Sequence, residues 1–342
     1  MQLTRVDINC HRKRVTLPVT LVLGLGELER PGKGRPAKST PNGHFRLVSA
    51  KATARYMHFG KQERASSVQR GDPVRLRLGI SYLPRKSKEH ELHRYYDALS
   101  RTWGAQHWWP AETQFEVIVG AYLTQNTAWT NVERALENLR AANALSIEAI
   151  RKMRLSRLER LIRPSGYFRQ KAARLKTFVA YLDKQYGGTL DRMFSAPTDK
   201  LREELLSLNG VGPETADSIL LYAGNHPVFV VDAYTRRILE RHEIAPSNTD
   251  YETIRELFQR ALEPEAQRLA GPNKNSIPQL EAGIRGAAHR PSAMSTASRT
   301  AVAQVYNEMH SLIVGVGKHY CGKSQPKCDG CPLQAFLPRA KG

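Results

Sequence analysis

Apolar residues recur at helical spacing on both sides of a short glycine-rich turn in the chain. They run from Leu201 to Leu208, and a second apolar face begins at Ala216. Between the two, Gly210-Val211-Gly212 permits a tight turn, because glycine tolerates positive φ, and Pro213 suits the first position of a helix. The pattern predicts a helix, a glycine hairpin and a second helix whose free backbone N–H groups suit a phosphate. An ordinary turn between two helices is the alternative.

Most of the remaining apolar segments also repeat with a helical period. Helices are predicted over about residues 95–103, 115–123, 131–141, 249–262 and 301–316, whereas only residues 74–83 alternate as a strand does. No apolar run reaches the roughly 18 residues that a membrane span needs. Residues 263–300 are rich in proline, glycine, asparagine, serine and alanine, which predicts a surface insertion that is mostly disordered or weakly helical. The chain from residue 89 is therefore predicted to be all-α.

Residues 1–88 form a basic N-terminal extension of different character, with partial β structure predicted. Residues 1–90 hold 19 lysines and arginines against 6 acidic residues, so most of the net charge of +20 lies there. Such an excess indicates a polyanionic partner. The apolar run Val15–Leu25 follows a basic stretch, as in a secretion signal, but Glu27, Glu29 and Arg30 stand where a cleavage site would need small residues. We interpret the extension as poorly ordered, with a non-specific DNA-tethering arm as the alternative.

A carboxylate ends the apolar segment that follows the hairpin. Val228–Val231 are apolar, Asp232 comes directly after them, and Arg236 and Arg237 follow. From the residues alone, Asp232 is expected to cap the helix that begins there.

The hairpin, with an acid within about 20 residues of it, resembles the helix-hairpin-helix DNA glycosylases of the endonuclease III superfamily. The resemblance covers residues 95–337 with one interruption. It implies a two-lobed helical fold, with one lobe at residues 111–225 and the other formed by 89–110 and 226–318. It also implies an enzyme of base excision repair that flips a damaged base out of double-stranded DNA and hydrolyses its N-glycosidic bond.

Asp232 stands where that superfamily has its catalytic aspartate, and the resemblance makes it the candidate catalytic residue. A buried carboxylate there would stabilise the positive charge that develops on the sugar and could align or activate water. Capping of the next helix is its compatible alternative role.

Three short peptides are closer to one branch of that superfamily, the 3-methyladenine DNA glycosylases. They are W-W-P at 108–110, L-T-Q-N-T at 123–127 and R-P-S-G-Y-F at 163–168. The resemblance places Trp108, Trp109 and Trp129 in a base pocket, where a cationic alkylated purine would stack on an indole face. Core packing is the alternative for the tryptophans. It also implies DNA contacts by Gln125, which would enter the hole left by the extruded base, and by Gly210, Val211 and Gly212.

Glu214 departs from the pattern of the bifunctional members, which carry a lysine two residues after the second hairpin glycine. That lysine forms a Schiff base with the sugar and leads to strand cleavage. A carboxylate cannot form an imine, so the resemblance implies a monofunctional glycosylase that uses water. A bifunctional glycosylase/AP lyase that uses another lysine and a non-catalytic damaged-DNA-binding protein are the alternatives.

Three cysteines lie near the end of the chain, within the cysteine-rich loop at residues 319–342. Cys321, Cys328 and Cys331 have the spacing of the endonuclease III iron–sulfur loop, but Leu337 stands where its fourth cysteine would be. The resemblance makes the three cysteines candidate ligands of a [4Fe–4S] cluster whose fourth ligand is missing. Cys10, His319 or an external thiol would have to complete the set, and zinc with a histidine or a loop without metal are the alternatives. We expect a cytoplasmic, nucleoid-associated monomer that binds damaged double-stranded DNA and no membrane.

Overall fold

The computed structural model describes residues 5–10, 13–18, 87–271 and 289–338. The chain divides into two units, Met1–Arg77 and Leu78–Gly342. In the first unit, strands β1 (Arg5–Cys10) and β2 (Lys13–Pro18) pair antiparallel, with Arg5 opposite Pro18. The predicted strand at residues 74–83 and the other expectations for the extension lie outside the described residues.

The second unit is built from helices, which confirms the all-α prediction. They are α1 (Lys88–Trp103), α2 (Gln114–Thr124), α3 (Trp129–Ala141), α4 (Ile147–Lys152), α5 (Leu155–Leu161), α6 (Phe168–Tyr186), α7 (Leu190–Phe194), α8 (Thr198–Ser207), α9 (Pro213–Ser218), α10 (Ala233–Arg241), α11 (Tyr251–Ala270) and α12 (Ala301–His319). Two 3₁₀ turns, Arg163–Ser165 and Gln334–Phe336, and a π-helical turn, Ile219–Ala223, complete them. In the described part of the chain, no helix is both long and apolar enough to cross a bilayer.

The helices form two groups, as expected of a two-lobed fold. In one group α1 packs against α11 and α12, and α10 against α12. In the other, α2 packs against α3, α6 and the π-helical turn, and α6 against α4, α5 and α7. Helix α12 also contacts the π-helical turn and so joins the groups. Phe229 and Phe258 show how closely the first group packs, since their rings stack 4.2 Å apart.

Helix α11 is predicted to end near Leu262, before an insertion over residues 263–300. The predicted helix end is wrong. Helix α11 continues through Pro264 to Ala270. Proline removes one helical N–H donor, but Glu265 and Ala266 extend the buried face of the helix. Glu265 also pairs with Arg268 one turn later, at 2.6 Å. Burial on one face and this ion pair therefore outweigh the local preference of proline.

Residues 289–300, at the end of the predicted insertion, are anchored to the helical unit by backbone hydrogen bonds. The N–H of His289 donates to the Gln106 carbonyl at 3.1 Å, and that of Met294 donates to the Ala111 carbonyl at 3.0 Å. Met294 is buried. Because these backbone bonds satisfy polar groups that no regular element pairs, a proline- and serine-rich segment packs over the segment that holds the adjacent tryptophans.

Candidate active site

The predicted glycine hairpin joins α8 to α9. The Val211 N–H donates to the Leu208 carbonyl at 3.1 Å and closes the turn. Gly210 has a φ of +79°, the left-handed region that favours glycine. Gly212 is the N-cap of α9 and Pro213 its first residue, as expected from the sequence. Helix α9 then continues directly into the π-helical turn.

The beginning of α9 presents backbone donors. Within the described residues, the N–H groups of Glu214 and Thr215 have no hydrogen-bond acceptor. The first amides of a helix lack intrahelical partners, and Gly212 has no side chain to cap them. A Cβ at Gly212 would meet nothing within 4 Å. The hairpin therefore has an open approach to its free N–H groups.

Gln125 braces this hairpin. Its Nε2 donates to the Gly210 carbonyl and to Thr215 Oγ1, both at 2.9 Å. Its Oε1 accepts from Arg174 Nη1 at 2.8 Å, and Arg174 lies so close that a Cβ at Gly210 would come within 1.9 Å of its Nε. That Gln125 enters the gap left by an extruded base stays a prediction. To do so, its side chain would have to give up these hydrogen bonds when DNA binds.

Asp232 is the N-cap of α10, so it does have the helix-capping role that was the alternative to catalysis. Its Oδ1 accepts from the Thr235 N–H at 2.7 Å and from Thr235 Oγ1 at 2.9 Å. The Asp232 N–H donates back to Thr235 Oγ1 at 3.5 Å, which completes a capping box. Its Oδ2 takes no part in the cap and lies 3.7 Å from Nε2 of His310. The Asp232 side chain is 13% exposed. One oxygen therefore holds the helix, and the other remains for chemistry.

Sequence reasoning missed two polar residues behind Asp232. His310 of α12 and Tyr222 of the π-helical turn are both buried, and the Tyr222 hydroxyl is 2.5 Å from His310 Nδ1. The only signal in the sequence was a histidine within an apolar helical pattern, which is also typical of an ordinary core histidine. Burial lowers the pKa of His310, although the charge of Asp232 opposes the shift.

Glu214 is electrostatically coupled to Asp232. Although solvent reaches the Glu214 side chain, desolvation by the surrounding protein and then the charge of Asp232 raise the pKa of Glu214 to about 7, and Arg236 acts in the opposite direction. Two neighbouring carboxylates disfavour ionisation of one of them. The Glu214 carboxyl is therefore only partly ionised at neutral pH.

The three predicted pocket tryptophans come together. Trp108 and Trp109 are buried with ring centroids 5.4 Å apart, and Trp129, half-buried, lies 6.1 Å and 5.2 Å from them. Trp109 also packs on Tyr222 at 5.2 Å. Among the described residues, the indole N–H group of Trp109 has no acceptor, whereas that of Trp108 lies against the Tyr222 hydroxyl. The cluster is thus part of the core and also holds an unpaired donor.

A cation already lies over one of these rings. The amine of Lys318 is 5.5 Å from the centroid of Trp108, a favourable cation–π geometry. Although the Lys318 side chain is exposed to solvent, desolvation by the neighbouring protein lowers its pKa, and the charge of Glu133 raises it. His289 packs on the same indole at 5.3 Å. Sequence reasoning did not find Lys318, because no local pattern relates it to Trp108.

The cysteines share one cavity but do not form a complete ligand set. Cys321, Cys328 and Cys331 line it together with Leu337, which has no donor atom. Arg241 Nη1 donates to Cys321 Sγ at 3.1 Å. In the part of the chain that the structure describes, no three His, Cys, Asp or Glu residues are placed to hold a metal ion. Three thiols and a leucine do not fit a [4Fe–4S] cluster held by four protein ligands.

A histidine at the same cavity does not complete the set. His242 lines it, but its Nδ1 is 2.7 Å from the Tyr95 hydroxyl and it also bonds to the Phe336 backbone. Both ring nitrogens are therefore engaged, whereas a zinc ligand needs one of them free. The side chain of Cys10 lies outside the described residues.

Comparisons with known proteins agree with this architecture. Residues 119–264, which include the hairpin and Asp232, match the model of the HhH-GPD superfamily base excision DNA repair proteins. The chain is 39% identical over 256 residues to Putative DNA repair glycosylase MJ1434 of Methanocaldococcus jannaschii, a match that covers 74% of this chain and 98% of that protein.

Two solved structures are similar in fold. The crystal structure of H. pylori 3-methyladenine DNA glycosylase (MagIII) bound to 1,N6-ethenoadenine is 28% identical, with a TM-score of 0.53, and the match covers 68% of this chain and 97% of that one. A non-covalent endonuclease III–DNA complex is 18% identical, with a TM-score of 0.52, over 73% of this chain and 94% of that one. With the hairpin and the capped aspartate in place, these similarities establish that the chain belongs to the HhH-GPD superfamily of base excision DNA repair proteins and is a DNA glycosylase.

Proposed function

We propose that the protein is a monofunctional glycosylase that releases alkylated purines from double-stranded DNA. The observation that carries the proposal is the pair of carboxyl groups at the hairpin. Asp232 offers a free Oδ2, and Glu214, which cannot form a Schiff base, is electrostatically coupled to it. A carboxylate stabilises the positive charge that develops on the sugar as the base departs, and water completes the hydrolysis.

The tryptophan cluster supports an alkylated purine as substrate. A flipped base stacks on aromatic rings, and an electron-rich indole attracts a cationic ring. The unpaired N–H group of Trp109 is a donor for a purine ring nitrogen. Lys318 lies over the Trp108 face, so a cationic base would have to displace its amine or stack on Trp129. The similarity to MagIII supports the same class.

Base release tests the proposal directly. Genomic DNA methylated in vitro is incubated with the full chain, and the released bases are separated by chromatography. We expect methylated purines, and none from unmethylated DNA. DNA oxidised in vitro is assayed in parallel. Release of oxidised pyrimidines from it, without release of methylated purines, would favour an endonuclease III-like specificity, and no release from either damaged DNA would favour a non-catalytic binder.

DNA binding is assigned to the hairpin and to an exposed aromatic side chain. Gly210, Val211 and Gly212 present the free amides of α9 to a phosphate, without reading sequence. Tyr167 precedes α6 and is 65% exposed, beside Arg169, which is a favourable combination for stacking against DNA. The net charge of +20 supports double-stranded DNA as the partner. A monomer associated with the nucleoid in the cytoplasm is part of the same proposal. The proposed catalytic domain begins at residue 89.

The two hairpin glycines separate DNA binding from folding. Gly212→Val is expected to weaken binding to all DNA sequences about tenfold, the equivalent of one lost hydrogen bond, without lowering the unfolding temperature, since a Cβ there meets nothing within 4 Å. Gly210→Val is the control. It forces valine into a positive φ and against Arg174, so both stability and binding should fall. Unchanged binding by Gly212→Val, in fluorescence anisotropy, would contradict the assignment.

The raised pKa of Glu214 predicts a pH dependence of DNA affinity. As the pH rises from about 6 to about 8, Glu214 ionises and repels a phosphate at the hairpin, so affinity should fall about fivefold, as for unit charges near 4 Å in water. Glu214→Gln should show a flat profile over that range. Glu203→Gln in α8 makes the same charge change on an exposed residue and should keep the wild-type slope. A wild-type slope in Glu214→Gln is the result that would reject the prediction.

A further inference from the structure

Tyr222 and His310 form a buried polar pair directly behind the candidate catalytic carboxylate. They come from different elements, the π-helical turn and α12. Their contact, from the Tyr222 hydroxyl to His310 Nδ1, measures 2.5 Å. His310 Nε2 is buried, has no hydrogen-bond partner among the described residues, and faces Oδ2 of Asp232 at 3.7 Å.

The carboxylate facing the ring decides the donor and acceptor roles in this pair. Burial, and then the charge of Asp232, raise the pKa of Tyr222 well above its usual range, so the phenol stays protonated and can either donate or accept a hydrogen bond. Burial lowers the pKa of His310, so the ring is neutral and carries one proton. Because a carboxylate oxygen accepts hydrogen bonds, the tautomer with the proton on Nε2 is the one that pairs with Oδ2, and it makes Nδ1 the acceptor of the Tyr222 hydroxyl. The Nε2–H bond is therefore the group that faces Asp232.

We infer that His310 is a positioning residue that holds Oδ2 of Asp232 in its reactive orientation, with Tyr222 fixing the tautomer that this requires. The inference rests on the proposed catalytic role of Asp232. A shift of about 0.8 Å would bring the 3.7 Å contact to an ordinary N–H···O distance. Thr235 anchors Oδ1, so His310 supplies the second point that defines the carboxylate plane.

A neutral donor suits this task better than a cation. An arginine or lysine in contact with Oδ2 would neutralise the charge that stabilises the sugar in the transition state. A neutral N–H group orients the carboxylate oxygen without neutralising its negative charge. Tyr222 also packs on Trp109 at 5.2 Å, so the same pair ties the position of the carboxylate to the wall of the base pocket.

An ordinary core histidine is the competing explanation, and His226 provides a matched control for it. His226 is also buried, and its Nδ1 is 2.9 Å from the Thr198 hydroxyl, but no contact joins it to Asp232. Both histidines are buried, and the Nδ1 of each lies near one hydroxyl group. Only His310 faces the carboxylate, so only its loss should change the rate of the chemical step.

The test is a double-mutant cycle on single-turnover base release. His310→Leu should slow release roughly 10- to 100-fold, as expected for a group that orients a reacting side chain, with DNA affinity unchanged. In the Asp232→Asn background, His310→Leu should cause no further loss, because coupled residues are not additive. His310→Gln, whose amide can still donate, should recover part of the rate, and Tyr222→Phe should show a smaller loss. His226→Leu should leave the rate unchanged.

Several outcomes would overturn the inference. One is that His310→Leu slows base release equally in the wild-type and Asp232→Asn backgrounds. Another is that His226→Leu slows release as much as His310→Leu does. A third is that His310→Gln releases the base no faster than His310→Leu. If His310→Leu does not fold, Tyr222→Phe in the two backgrounds decides the question in the same way. If Asp232→Asn itself keeps full turnover, the proposed catalytic role fails, and that result is distinct from failure of His310 alone.

Discussion

Replacing Asp232 by asparagine is expected to slow single-turnover base release about 10²–10⁴-fold while DNA affinity stays unchanged. The charge of Oδ2 acts on the positive sugar that forms only in the transition state, so its loss affects the chemical step. Asparagine remains a good N-cap, and the Thr235 N–H still has an oxygen acceptor. The change therefore removes the charge and keeps α10.

Asp250→Asn is the matched control for that experiment. Asp250 Oδ1 accepts from the Thr253 N–H at 2.8 Å and so caps α11, and its Oδ2 accepts from the Thr253 hydroxyl at 2.6 Å. Like Asp232 it caps a helix through the threonine three residues on, but both of its oxygens are used in the cap. If both variants release the base at the wild-type rate, Asp232 serves only as a cap. If both lose activity equally, the loss comes from the helix cap and not from catalysis.

The unmodified protein is expected to leave the DNA strand intact after base release. On an oligonucleotide that carries a substrate base, the strand should break only after alkali or an AP endonuclease is added. Borohydride should trap no covalent complex, because Glu214 offers no amine to form an imine. Glu214→Lys is an informative gain-of-function variant, although its amine would also need a lowered pKa beside Asp232.

Lys318 is the candidate nucleophile if the protein does cleave the strand. Its amine lies over Trp108, and desolvation lowers its pKa, which is the state a Schiff-base lysine requires. A borohydride-trapped adduct with the wild-type protein would disprove the monofunctional proposal. Loss of that adduct in Lys318→Gln would then identify the nucleophile and establish the bifunctional alternative.

The sequence was sufficient to predict the features that local chain geometry decides. The hairpin follows from Gly210, which has a φ of +79°, and from Pro213 at the first position of α9. The apolar periodicity predicted the principal helices, and α1 begins at Lys88 rather than near Tyr95 because Ser87 caps it through the His90 N–H. These features depend on residues within one or two turns of each other, so a linear pattern contains them.

Composition did not reveal that α11 continues past Leu262, or that residues 289–300 are anchored to distant backbone. Proline and serine disfavour regular structure on average, but burial of Glu265 and Ala266 extends α11, and backbone bonds to Gln106 and Ala111 anchor residues 289–300. Those partners lie more than 150 positions away in the chain. The free energy gained by satisfying and burying such groups is set by the packed fold and has no counterpart in local composition.

The sequence by itself determined the helical class, the hairpin, the candidate acid Asp232 and the absence of lysine at Glu214. Only the tertiary structure decided what surrounds them: the Tyr222–His310 pair behind Asp232, the bracing of the hairpin by Gln125, the raised pKa of Glu214 and the cation over Trp108. The reason is physical. Helices and turns arise from interactions between near neighbours in the chain, whereas desolvation, hydrogen-bond partners and charge coupling depend on distances that exist only after distant elements have packed together.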